Sequence, residues 1–170
     1  ADEAHYWEWS RHLDWSYYSK GPGIAYLIRA ATELFGDAEW AIRIVPAVAA
    51  TITAICMTIL ARRAAPASRN APLFAALTAL LLPCFQGTAL LATIDAPFLA
   101  CWAVAILTFH SLDTALRASR RIALHAFAFG AAIGFGILAK YTMVLLLPGL
   151  LAFHLLVPPT APMHTRVRGM

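Results

Sequence analysis

IRIVPAVAATITAICMTILARR, residues 42–63, is a long apolar run closed by two adjacent arginines. A helix needs about 20 mostly apolar residues to cross a hydrocarbon core of about 30 Å, and residues 42–60 meet that length. Four further runs, at 71–92, 96–112, 122–139 and 141–157, are comparable. The chain of 170 residues is 61% hydrophobic and 13% charged, and its mean hydropathy is +0.68. No soluble core of ordinary composition hides that much apolar surface. The expectation is an all-α, polytopic transmembrane bundle of about five spans, because only helices satisfy every backbone N–H and C=O inside lipid without closing a barrel. Pro83 and Pro148 are expected to kink two of them.

The connections between runs are of two kinds, and they alternate. Arg62, Arg63 and Arg69 fill the first, Arg117, Arg120 and Arg121 another, and Arg166 and Arg168 follow the last run. The other kind is short and carries one ionisable residue, Asp95 in TIDAP or Lys140 in AKYT. By the positive-inside rule the arginine-rich connections are cytoplasmic. The acidic, aromatic segment before residue 40, Asp95 and Lys140 then share the opposite face, and Asp113 alone of the nine acids lies inside. Residues 1–39 read as a first outer loop and 40–170 as the membrane bundle.

Within that loop Ile24, Leu27, Ile28, Ala31, Leu34 and Phe35 recur at helical spacing, with Arg29 and Glu33 opposite. This predicts an amphipathic helix lying in the interface, preceded by the break at Gly21–Gly23 and ended by Gly36 and Asp37. Trp7, Trp9, Trp15, Tyr17, Tyr18 and Trp40 suit an interfacial aromatic belt. Gly130, Gly134 and Gly136 in FGAAIGFG suggest close helix approach.

Other classes are disfavoured. The net charge of +4 comes from arginines at the edges of apolar runs, without the basic stripe of a nucleic-acid binder. Cys56, Cys84 and Cys101 lie inside apolar runs without CxxC spacing and read as packing residues, so neither a zinc site nor a disulfide framework is expected. His110, His125 and His154 lack metal-ligand spacing and read as packing residues with a satisfied hydrogen bond. No basic region precedes an apolar signal core, and residue 1 leads straight into an acidic motif, so the chain reads as a piece of a longer protein.

Candidate chemistry therefore concentrates outside. Asp2 and Glu3 sit in a tryptophan-rich loop near the surface, where partial removal from water suits a carboxylate to general-base work, against the blander reading that loop acids are merely solvated. His5 beside them could orient a carboxylate or a substrate. Asp95 reads either as a functional acid at the membrane edge or as an N-cap before Pro97, and one residue can do both. Lys20 and Lys140 are the only lysines, both on the outer side. They could face an anion such as a phosphate, or snorkel toward headgroups. Tyr141, next to Lys140, is a further candidate.

DEAHYWEW, WSYYSKGPGIAYLIRAATELFGDAEWAIRI, TIDAPF and LAKYTMVLLLPGLL, in that order, resemble the polytopic glycosyltransferases of family 39. That family has the GT-C fold and includes protein O-mannosyltransferases and lipid A aminoarabinose transferases. The resemblance implies a sugar moved from a polyprenyl-phosphate carrier to a lipid, glycan or protein acceptor at the periplasmic face of a bacterial inner membrane, with membrane lipids around it and no nucleic-acid partner. It puts the catalytic acid pair on Asp2 and Glu3, a second acid on Asp95, and donor-phosphate contacts on Lys20 and Lys140, with Gly21 where a KPP-like motif has its first proline. It also implies a span before Asp2 and further spans after the last run. Neither a GxGxxG nor a P-loop occurs, and no cofactor or metal is expected. The alternatives are a lipid-phosphate-binding transporter or flippase fragment without catalysis, which would not need the acid pair, and a scaffold whose outer aromatics only anchor it.

Overall fold

A computed structural model describes residues 2–18, 20–117 and 122–156. Its helices are α1 (Asp2–Arg11), α2 (Gly23–Phe35), α3 (Glu39–Ala64), α4 (Ala71–Leu81), α5 (Pro83–Leu90), α6 (Asp95–Arg117), α7 (Ile122–Ala139) and α8 (Leu146–Leu156), with a 3-10 turn at Tyr141–Leu145 before α8. Among the described residues the β structure is one isolated bridge, Tyr17 with Lys20. The chain is all-α, as its apolar runs require. Arg120, Arg121, Arg166, Arg168 and the end of the fifth run lie outside the described residues.

Among the described residues three helices are long and apolar enough to cross a membrane, Glu39–Ala64, Asp95–Leu116 and Ile122–Ala139, and α4 with α5 make a fourth if the bent pair counts as one span. The fifth run departs from expectation, because it divides into the 3-10 turn and a helix of 11 residues. Even so it travels the length of the bundle. Tyr141 at its start meets Ser16, and His154 near its end meets Asp113 of α6. A 3-10 turn rises about 2.0 Å per residue against 1.5 Å for an α-helix, so this short segment covers ground an α-helix of equal length would not.

The break at Pro83 has a local cause and a local remedy. Proline offers no N–H, so the carbonyl of Ala79, four residues earlier, loses its helical partner. Leu82 turns extended at φ −74° and ψ 113°, and the two helices bend by 62°. The side-chain amide of Gln86 then donates to the Ala79 carbonyl at 3.0 Å. Pro148 does not kink α8, contrary to expectation. It sits in the first turn, where its missing N–H costs nothing.

Packing between spans relies on alanine. Ala49 of α3 meets Ala96 and Ala100 of α6 in one buried cluster, and Ala105, Ala132 and Ile133 join α6 to α7 beside Met143 and Leu146. The predicted glycine seam is different: a Cβ at Gly130 or Gly134 would meet nothing within 4 Å, and only Gly136 is tight, against the Met143 side chain. Leu80, Leu81, Phe127, Phe135, Leu155 and many other large apolar side chains face outward, as lipid contact requires. Thr51, Thr58, Thr78 and Thr108 turn their hydroxyls back onto the carbonyl four residues before, which satisfies them without water.

Segment 1–39 is not a simple loop. Asp2 and Glu3 form the first turn of α1, and the amphipathic α2 buries Ile24, Ala25, Ile28 and Ala31 while Arg29 pairs with Glu33 on its outer side at 2.6 Å. Gly36 ends α2 at φ +84°, a left-handed conformation that glycine adopts without strain. Tyr6, Ile24, Ile28, Ala92 and Ile94 form one buried cluster with Trp7, Trp9, Ile42 and Val45 around it. Trp9 stacks on Tyr17 at 4.3 Å, and the Tyr17 hydroxyl bonds to the backbone of Trp9, His12 and Asp14. Of the expected aromatic belt, Trp15, Tyr18 and Trp40 are exposed.

Candidate active site

The site grows from the N-terminal turn of α1. A helix start favours carboxylates through its partial positive charge, and the 3.6-residue repeat stacks Tyr6 on the face that carries Asp2 and Glu3. Tyr6 is buried, and its hydroxyl accepts a hydrogen bond from the Lys20 ammonium at 2.7 Å. The ammonium also lies 5.1 Å from the Tyr6 ring centre. Two backbone hydrogen bonds with Tyr17 fix the main chain of Lys20. The hydrogen bond to Tyr6 raises the Lys20 pKa above its ordinary 10.5, and the charges of Asp2 and Asp95 act in the same direction. Both carboxylates are thus within electrostatic reach of this lysine.

The glycines after Lys20 are there for close approach. A Cβ on Gly21 would collide with the Leu138 carbonyl oxygen, and one on Gly23 would lie 2.9 Å from the same backbone unit. The chain therefore presses directly on the end of α7, two residues before Lys140. Lys140 turns extended at φ −154° and donates from its ammonium to Asp95 Oδ1 at 2.9 Å, with the Phe98 ring centre 5.5 Å away. The pair is open to solvent, with side-chain exposures of 37% for Lys140 and 47% for Asp95. Tyr141 adds a hydroxyl 3.0 Å from Ser16 Oγ and reaches the Lys20 carbonyl at 3.5 Å.

Glu3 enters from the other side. Its Oε1 accepts the Ala92 backbone N–H at 2.8 Å, and its Oε2 lies 3.8 Å from Arg43. Asp2, Glu3, Lys20, Asp95, Lys140 and Tyr141 thus gather at one end of the bundle. His5 is exposed, with its ring 4.5 Å from that of Trp9. The opposite end has different chemistry: Arg63 donates to Ser111 at 2.8 Å, and His154 meets Asp113 at 2.6 Å. Among the described residues no group of three or more His, Cys, Asp or Glu is placed to hold a metal ion.

Beside the cluster lies an apolar cavity of about 710 Å³ between α2, α3, α6 and α7. Leu27, Val48, Val104 and Phe135 contribute to its walls, and Gly23, Pro97 and Ala139 bring it next to the charged residues. Sequence reasoning passes over Tyr6, Ser16 and Arg43. Recognising residues 2–11 as a helix would have placed Tyr6 with the acids, whereas nothing local marks Ser16 or Arg43.

The chain is similar to known proteins. The dolichyl-phosphate-mannose-protein mannosyltransferase family matches residues 19–168. The lipid A galacturonosyltransferase RgtD of Rhizobium johnstonii is 33% identical over 160 residues, covering 93% of this chain and 32% of that protein. The chain thus spans about a third of the length of this relative. No solved structure matches it significantly. By the extent of the family match and this identity, the chain belongs to the dolichyl-phosphate-mannose-protein mannosyltransferase family of GT-C membrane glycosyltransferases.

Proposed function

We propose that this chain supplies the reacting end of a glycosyltransferase that moves a sugar from a polyprenyl-phosphate carrier to a lipid, glycan or protein acceptor at the periplasmic face of a bacterial inner membrane. The observation that carries this reading is the gathering of Lys20 and Lys140 with Asp2 and Asp95 at one end of the bundle, beside an apolar cavity. A carrier of this kind has an anionic head and a hydrocarbon tail. The two ammoniums suit the head, and the cavity suits the first isoprene units.

Asp2, exposed at the start of α1, takes the proton of the acceptor hydroxyl as its oxygen attacks the sugar C1. The bond from C1 to the phosphate oxygen breaks, and the electron pair leaves with that oxygen. Lys20 and Lys140 stabilise the charge that gathers there. Asp95 orients the Lys140 ammonium, which keeps two further N–H donors for the phosphate. The relative's name makes galacturonate and lipid A the first sugar and acceptor to test.

The test is to incubate membranes containing the full-length protein with radiolabelled polyprenyl-phosphate sugar and a lipid A acceptor. Label appearing in the acceptor lipid supports transfer. Carrier that is bound and moved across the bilayer with its sugar intact would establish the transporter reading instead.

A further inference from the structure

The two neighbouring acids of α1 are held very differently. Asp2 is exposed, whereas both oxygens of Glu3 face protein groups, the Ala92 backbone and Arg43. Oε1 accepts the backbone N–H of Ala92 at 2.8 Å. Oε2 faces Arg43 at 3.8 Å, and Arg43 is itself held by Glu39, one turn earlier on α3, at 2.7 Å.

Ala92 is fully buried and lies in the short non-helical stretch between α5 and α6, three residues before Asp95. With no helical carbonyl to receive it, its N–H depends on Glu3, because a buried donor away from water requires a partner. Thr93, next in line, bonds back to the Leu91 carbonyl at 2.8 Å, which makes the stretch a tight turn. Fixing Ala92 therefore fixes the start of α6 and, with it, the direction in which Asp95 meets Lys140.

We infer that Glu3 is a positioning residue, which with Arg43 clamps the turn before α6 so that Asp95 faces Lys140, leaving the proton transfer to the Asp2 proposed above. This rests on the glycosyl-transfer reading for its catalytic half. The clamp itself can be measured without any transfer.

The experiment uses the full-length protein with Glu3→Gln, Glu3→Ala and Arg43→Gln, and reads amide hydrogen exchange over residues 91–95 beside transfer rate against pH. Glutamine keeps an oxygen for the Ala92 N–H, so exchange should stay slow, transfer should stay within about tenfold, and the acidic limb of the pH profile should not move. Alanine removes the acceptor, so exchange should quicken by about tenfold or more and transfer should fall with it. Arg43→Gln should fall between the two, with exchange and transfer shifting together. Loss of transfer in Glu3→Gln with parental exchange would make Glu3 a chemical group and overturn the inference. Parental exchange in Glu3→Ala would overturn it as well. A parent protein that transfers nothing would strike the glycosyl-transfer reading, and the exchange data would still decide the clamp.

Discussion

Two residues of the candidate site differ in how visible they are in the sequence. Asp2 is legible in the sequence as half of an acid pair on the outer side, whereas Tyr6 is passed over although it holds Lys20. The difference is physical. A charge in an apolar chain is conspicuous, but a tyrosine among tryptophans looks like one more belt aromatic until the segment is known to be helical. Asp2→Asn keeps the shape and removes the proposed base, so transfer by the full-length protein should fall about 100 to 10,000-fold while donor binding stays near normal. Near-normal turnover in that variant would return Asp2 to a solvated surface role. Gly21 argues a different point, since its need for absent side-chain atoms comes from a contact 117 positions away, with Leu138. Gly21→Ala would drive a Cβ into a backbone carbonyl that cannot swing aside. Overpacking of this kind costs about 1 to 3 kcal/mol, so the thermal midpoint in detergent should drop and donor affinity should fall with it. A midpoint equal to the parent's would show that the contact is looser than the structure has it.

The apolar runs announce the spans because length and hydropathy are properties of the sequence itself. Their interruptions are partly legible. Pro83 breaks its span as a proline should, whereas Pro148 falls at a helix start that only the preceding 3-10 turn creates. The glycines of α7 suggest a seam that the helix does not use, because Gly130 and Gly134 turn to its open side and alanines make the contacts with α6. Spacing alone does not say which face of a uniformly apolar helix points inward. The break at Pro83 yields a coupled prediction. Gln86→Leu would leave the Ala79 carbonyl without its donor and destabilise the fold by about 1 to 3 kcal/mol. Adding Pro83→Ala restores a backbone N–H at the right place and should recover most of that loss. Strictly additive effects in a thermal double-mutant cycle would rule out a shared carbonyl.

At the scale of the whole molecule, charge separates the two ends. Both lysines gather with Asp2 and Asp95 at one end, whereas Arg62 and Arg63 close α3 at the other, and the 26 residues of α3 span about 39 Å. Single cysteines at Asp95 and Lys140, in a background without Cys56, Cys84 and Cys101, should react with a membrane-impermeant thiol reagent in intact cells, and cysteines at Arg63 and Arg120 should not. Labelling from outside at Arg120 would invert the topology. The gathering at this end was foreseeable as a face but not as a set of contacts, since Lys20 and Lys140 are 120 positions apart and are brought to the same end by two glycines packed against the last turn of α7. What those two ammoniums bind decides the role of this end of the bundle. Equilibrium binding of a polyprenyl-phosphate sugar to the full-length protein, with Lys20→Ala and Lys140→Ala, tests this most directly. A hydrogen bond to a charged group contributes about 1.5 to 3 kcal/mol, so each variant should lose about tenfold or more in affinity, and arginine at either position should restore only part of it. Unchanged affinity in both alanine variants would contradict the phosphate site.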